Sequence, residues 1–324
     1  MFSDSPFRRF RPVIFLATST LLLSAGTSAF AGETIFAPGV SASGGWYDVN
    51  KKSTESVSTK DYSYCWAATA SNLIQYWQDR YVAAGNTLPA SVPSGKTSAL
   101  GYESGIFDIF LDEKNWNHYI DGNTRMADPY VALTWYFYGN IHNVSNAAKP
   151  YPGTGGYWKN EYPELQKLLG ENFIRPSSGA YSTWGPWASD QSKSCISIFS
   201  ENVIEILSKG PAGLAANTTK FGGHSFTLWG ADVDALGIVT AVYVTDSDDA
   251  QKSLDSDLRR YEVAFDNTSE NRKVFLCDTD YGTRNQITDL YGLTAYPIPE
   301  PSAFGLLAGM LAAVLACSRR KRCF

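Results

Sequence analysis

Tyr64-Cys65-Trp66-Ala67-Ala68 heads a stretch with helical spacing. Far downstream runs Gly222-Gly223-His224-Ser225-Phe226-Thr227-Leu228-Trp229-Gly230, followed after one more strand by Val244-Thr245-Asp246-Ser247-Asp248. A cysteine opening a helix, a histidine on a strand and a carboxylate beyond it are the parts of an activated thiol: nucleophile, base and orienter. Their order decides the fold reading. A helix carrying Cys65 has to pack on antiparallel strands carrying His224 and Asp246, an α+β arrangement.

Trp66 to about Val82 reads as the helix, because Ala67, Ala68, Leu73, Ile74, Trp77 and Tyr81 fall near one broad face. Cys65 then sits at its N-terminus. The partial positive charge there, with a nearby imidazolium, favours thiolate. Backbone N–H groups at the same helix start lack intrahelical acceptors and suit an oxyanion. A lone cysteine is more often a buried structural residue, so the weight of the reading rests on the downstream segment.

The chain has three histidines, His118, His142 and His224. His118 lies in a polar, aromatic stretch with loop character, and His142 follows the turn signal Gly139-Asn140. His224 begins a strand in which Phe226 and Leu228 alternate with Ser225 and Thr227. Asp232 to Gly237 reads as a turn and Ile238 to Thr245 as the next strand, so the two strands form a hairpin. Pairing about that turn returns Asp246 and Asp248 toward His224, on one face because side chains repeat every two residues. Asp246 is the favoured orienter of the imidazole. Asp246, Asp248, Asp249, Asp255 and Asp257 cluster in sequence, but their spacing does not match a calcium loop.

The rest of the body is read more coarsely. Asp128 to Tyr138 and Glu161 to Leu169 read as helices. Ser200 is the expected cap of a helix from Glu201 to Lys209, closed by Gly210. Ala212 to Asn217 reads as a short strand. Trp116, Trp135, Tyr136, Phe137, Trp158, Trp184 and Trp187 are expected to supply much of a substrate cleft.

Both ends carry addresses. Arg8, Arg9 and Arg11, the apolar run from Val13 to Leu23 and the small-x-small site Ala29-Phe30-Ala31 read as a secretory signal over residues 1–31. At the other end, Pro299-Glu300-Pro301 precedes an apolar stretch from Ala303 to Cys317 and the basic cluster Ser318-Arg319-Arg320-Lys321-Arg322. This end, residues 299–324, resembles the PEP-CTERM sorting tail of certain Gram-negative bacteria. That resemblance implies an exosortase-type sorting enzyme as partner, transient membrane association through the tail, and a place outside the cell or on its outer surface.

Residues 32–298 between these ends suit one large domain or two small ones, and read as a single peptidase domain. With 44% hydrophobic and 14% aromatic residues the body can form a sizeable core, and the net charge of -5, without a basic block outside the two ends, argues against nucleic acid. Of five cysteines, Cys317 and Cys323 belong to the tail. The odd number left (Cys65, Cys195 and Cys277) implies at least one free thiol in an oxidising compartment; Cys195 and Cys277 are a candidate pair. No zinc spacing appears, and no cofactor is expected.

Four blocks together resemble a known family. They are Gly45-Trp46-Tyr47-Asp48-Val49-Asn50-Lys51, Cys65-Trp66-Ala67-Ala68-Thr69-Ala70, His224-x-x-x-Leu228-Trp229-Gly230-Ala231-Asp232-x-Asp234 and Tyr243-Val244-Thr245-Asp246-Ser247-Asp248. In this order they resemble the streptococcal immunoglobulin G-degrading cysteine protease (IdeS) family, over roughly residues 45–77 and 222–248. The resemblance implies a papain-like cysteine protease fold, with Cys65 as nucleophile, His224 as general base, Asp246 as orienter and Asp248 as a second acid near the site. It also implies a lysine upstream of the cysteine that serves the oxyanion. Lys51 matches that lysine, and Lys52 and Lys60 are its alternatives because the loop to Cys65 is longer than the family's. Trp66 stands where the family usually has glycine, and the middle of the chain does not clearly match.

The expected function is therefore that of a secreted or surface-sorted cysteine endopeptidase. It would cut a protein substrate, immunoglobulin-like in the family, through an acyl-enzyme. A thiol acyltransferase on the same fold needs the same residues, and a surface binding module with an inactive site is the non-enzymatic alternative.

Overall fold

The computed structural model describes residues 32–51, 61, 63–95, 104–117, 129–139, 149–151, 153–160, 173–174, 194–218, 222–248, 258–267, 272–280 and 282–298. The expected secretory signal, the sorting tail, the helix at 161–169, His118, His142, Lys52, Lys60, Trp184, Trp187, Asp249, Asp255 and Asp257 lie outside these residues. Among the described residues no helix is long and apolar enough to cross a membrane.

The helices are α1 (Cys65–Ala83), α2 (Gly105–Leu111), α3 (Pro129–Tyr138) and α4 (Cys195–Lys209). The strands are β1 (Glu33–Phe36), β2 (Trp116–Asn117), β3 (Lys149–Pro150), β4 (Phe173–Ile174), β5 (Ala212–Thr218), β6 (Gly222–Val233), β7 (Val239–Thr245), β8 (Arg259–Asn267), β9 (Arg272–Thr279) and β10 (Gly282–Leu293).

The papain-like α+β expectation is overturned by the sheet. Strands run β6-β5-β10-β9-β8-β7, all antiparallel, and β7 pairs back onto β6. Six strands thus close into a barrel, where a helix packed on an open sheet was expected. The long strand β6 makes closure feasible. Its first half pairs with β5, while its last residues take β1 on the same edge and β7 on the other. A register shift between Leu228 and Gly230 marks a bulge, which bends a strand and raises its twist. Closure also pairs the edges that an open sheet would leave to aggregate.

Side-chain alternation sorts the barrel wall. Leu214 and Ala216 of β5, Phe226 and Leu228 of β6, Val242 and Val244 of β7, Leu276 of β9 and Ile287 of β10 share one core with α4. That helix touches β1, β6, β7, β8, β9 and β10 and buries Ile198, Phe199, Val203, Ile206 and Leu207, a helical spacing. The helix starts six residues earlier than expected. Ser194 is the cap, its Oγ accepting from the Ser197 N–H at 3.2 Å. The expected cap Ser200 is buried and accepts instead from the Val239 N–H at 3.0 Å.

On the other side of the wall α1 packs against β5 and β6, flanked by α2 and α3. Gly213 lets it approach: a Cβ there would meet the Thr69 methyl at 3.0 Å. The middle-chain aromatics belong to this second core. Trp116, Trp135, Tyr136, Phe137 and Trp158 are buried around Trp66 and Trp77 in mostly edge-to-face pairs, which corrects their expected place in a cleft. Burying such large rings stabilises the fold by about 1.5–3 kcal/mol each, more than an exposed cleft position would return.

Candidate active site

Residues 37–51 form a strap laid across α1 and β6 before the chain reaches Cys65. The Ala37 N–H donates to the Trp229 carbonyl at 2.9 Å, the Tyr76 hydroxyl of α1 to the Pro38 carbonyl at 2.7 Å, and the Thr245 hydroxyl of β7 to the Tyr47 carbonyl at 2.9 Å. The Val49 N–H donates to Asn72 Oδ1 at 2.9 Å, and Asn72 Nδ2 donates to Thr227 Oγ1 of β6 at 2.9 Å. The strap ends at Lys51, whose N–H donates to the Ser247 carbonyl at 2.8 Å.

These elements converge at the head of α1. Cys65 is its first residue, half-buried and not in a disulfide. His224 stands near the start of β6 and is buried, its Nε2 2.8 Å from Oδ1 of the fully buried Asp246. That leaves Nδ1 as the ring nitrogen for the thiol, with which His224 hydrogen-bonds. The Asp248 N–H donates to Asp246 Oδ1 at 3.1 Å, so one oxygen is gripped from two sides. The Asp248 carboxylate lies 2.7 Å from Lys51 Nζ, and both side chains are buried. The Phe226 ring packs edge-on against the imidazole, centroids 4.6 Å apart, and blocks its rotation on one side.

The charges support one another. Burial alone would push the Cys65 thiol up, but His224 and then Lys51 outweigh it, and the thiol falls below its ordinary value. Burial would lower the His224 imidazole, yet Asp246 and the thiolate overcome it and raise the group to about 10. Lys51 is raised against its burial by Asp248 first, then by Cys65 and Asp246. The imidazolium and the ammonium thus favour the thiolate, and the thiolate favours both of them.

All five residues singled out from sequence (Lys51, Cys65, His224, Asp246 and Asp248) are brought together. No disulfide joins Cys195 and Cys277, and Cys195 Sγ lies against the Asp266 and Lys273 carbonyls. Among the described residues no group of three or more His, Cys, Asp or Glu comes together as a metal site. Asn72 and Thr227 escaped the sequence reading. The available signal was Asn72 itself, since asparagine is unfavourable in a helix interior unless its side chain has a task.

The Mac 1 family profile matches residues 31–87 and 193–286. These two blocks carry the strap, α1, the barrel strands that hold His224 and Asp246, and α4. Among curated proteins, the IgM protease of Streptococcus suis (strain P1/7) is 28% identical over 232 residues, which is 65% of this chain and 18% of that protein. The chain thus spans under a fifth of the relative's length. Together the two matches support a distant relationship to the IdeS/Mac family.

Proposed function

We propose that this chain is a cysteine-type endopeptidase that hydrolyses peptide bonds in a protein substrate, with immunoglobulin the substrate class the relative points to. One observation carries the reading. A thiol at the first position of a helix hydrogen-bonds an imidazole whose other nitrogen lies 2.8 Å from a buried carboxylate. Nucleophile, base and orienter in that relation are what covalent acyl transfer needs.

The steps follow from the charges. The Cys65 thiolate attacks the scissile carbonyl carbon, and the carbonyl electron pair moves to oxygen. Lys51 Nζ and the Cys65 backbone N–H, which has no intrahelical acceptor at that position, stabilise the oxyanion. The oxyanion collapses, the C–N bond breaks, and the His224 imidazolium gives its proton to the departing amine. Neutral His224 then takes a proton from water, whose oxygen attacks the thioester. The thiolate leaves, and the acid product and the thiolate–imidazolium pair remain. Asp246 holds the ring and balances its charge throughout, and Asp248 holds Lys51.

Residues 1–31 would export this peptidase, and 299–324 would be read by a sorting enzyme at the membrane. The test uses the purified full chain beside Cys65→Ala, each incubated with immunoglobulin M, immunoglobulin G and unrelated proteins, with fragments identified by mass spectrometry. Fragments made by the wild type and absent with Cys65→Ala are expected. Fragments made equally by both would overturn the reading.

A further inference from the structure

Lys51 and Cys65 are separated by thirteen residues of chain, so nothing in the covalent connection fixes one against the other. His224 arrives on a strand from a different part of the sequence. A buried hydrogen-bonded clasp joins all three carriers. Asn72 lies about two helical turns after Cys65, on the part of α1 that faces β6, and is 3% exposed. Its Oδ1 takes the Val49 N–H at 2.9 Å, two residues before Lys51. Its Nδ2 gives to Thr227 Oγ1 at 2.9 Å, three residues after His224, and Thr227 is 1% exposed.

Resting on the site reading above, we infer that Asn72 is a positioning residue for the reaction: it sets the Lys51 ammonium and the His224 strand against the Cys65 helix. The amide is suited to the task. One side chain offers an acceptor and a donor in fixed relation, and here it uses both on groups from two different elements. An apolar residue of the same size would keep the packing and release both. In a site where a misplacement of about 1 Å costs on the order of 10²-fold, that release is felt at the thiol. Lys51 is also tied to the segment after β7, through its N–H on the Ser247 carbonyl and its Nζ on Asp248, so those bonds hold it to the barrel. The strap bond made to α1 at Val49 lies nearer to Lys51 than the one at Pro38.

The experiment needs no substrate. The full chain is treated with iodoacetamide across a pH series, and alkylation of the Cys65 peptide is followed by mass spectrometry. Wild type, Asn72→Leu, Lys51→Met and the double variant are compared, with folding checked by circular dichroism. If wild-type Cys65 alkylates as an ordinary thiol, the site reading itself fails. If the wild type is activated, Asn72→Leu is expected to move the onset of alkylation about one pH unit higher, a tenfold slowing at pH values below the wild-type onset. In the Lys51→Met background the same change should have a smaller effect, because the part of it that runs through Lys51 is then absent. An unaltered profile in Asn72→Leu, or equal effects in both backgrounds, overturns the inference while leaving the site reading in place. Should Asn72→Leu not fold, Thr227→Val opens half of the clasp. A profile identical to the wild type there overturns the inference, and an onset moved to higher pH supports it.

Discussion

Lys51 Nζ sits 2.7 Å from Asp248 Oδ1 with both side chains buried, so an ion pair shielded from water lies close enough to Cys65 to act on its charge. Such a pair is costly to break from one side, because removing one partner leaves the other charged in a poor solvent. Asp248→Ala should therefore destabilise the chain by about 3–5 kcal/mol. The double variant Lys51→Met/Asp248→Leu, which removes both charges, should recover much of that loss. Urea unfolding of the wild type, the single variant and the double variant decides it. A double variant no more stable than Asp248→Ala would mean that the pair is not what holds this corner.

The charge pattern at Cys65 fixes a pH dependence. Burial opposes ionisation of the thiol, but His224 and Lys51 prevail and lower it. A lowered pKa keeps the thiolate present as pH falls through the ordinary thiol range near about 8.5. Cys65 should thus alkylate at pH 6 much faster than free cysteine. His224→Ala should return the onset toward the ordinary range. At the basic end the amine needs the imidazolium proton, and His224 is raised to about 10. Hydrolysis should hold through neutrality and fall as pH rises through that value. An onset unchanged by His224→Ala would show that the two groups do not share charge.

Asp246 has two tasks that one substitution separates. Its Oδ1 accepts from the His224 ring and from the Asp248 N–H. Asp246→Asn keeps an oxygen for both contacts and removes the charge that raises His224. Asp246→Ala removes both. The asparagine variant should fold normally, show an alkylation onset at higher pH and lose about tenfold in turnover, while the alanine variant loses about 10²-fold or more. Equal losses in the two would assign Asp246 a purely charge-based role.

Residue type and local spacing made the site more legible than the fold. Cys65 at a helix start, His224 on a strand and Asp246 after the next strand can each be read from a dozen neighbouring residues, and the β6–β7 hairpin links two of them. Lys51 came through family resemblance, since no spacing rule ties a lysine to a cysteine fourteen residues on. Barrel closure was not legible. It depends on β10 meeting β5, a pairing between strands far apart in sequence that has no local signature. The tryptophans misled for a related reason. A ring at 116, 135 or 158 looks the same in sequence whether it lines a cleft or fills the core around Trp77. The α4 start was misplaced because Ser194 and Ser200 are equally good caps by composition, and only burial distinguishes them.

Gly230 offers a test of whether the site depends on the barrel edge or on the strap. It pairs with Phe36 of β1, and a Cβ at 230 would meet Phe36 Cδ1 at 2.4 Å and the Ile35 carbonyl at 2.8 Å. The Phe36 ring can turn away, but the carbonyl belongs to the backbone. Gly230→Ala must therefore push β1 off β6, at a cost of about 1–3 kcal/mol. β1 is only four residues long and leads directly into the strap. The strap, however, has its own bonds at Ala37, Pro38, Tyr47 and Val49. Gly230→Ala should then speed hydrogen exchange in 33–36 and lower the unfolding midpoint, while the pH profile of Cys65 alkylation stays where it is. A profile that moves together with the β1 amides would make the strap an extension of the strand, with Lys51 held from the barrel edge and not from α1.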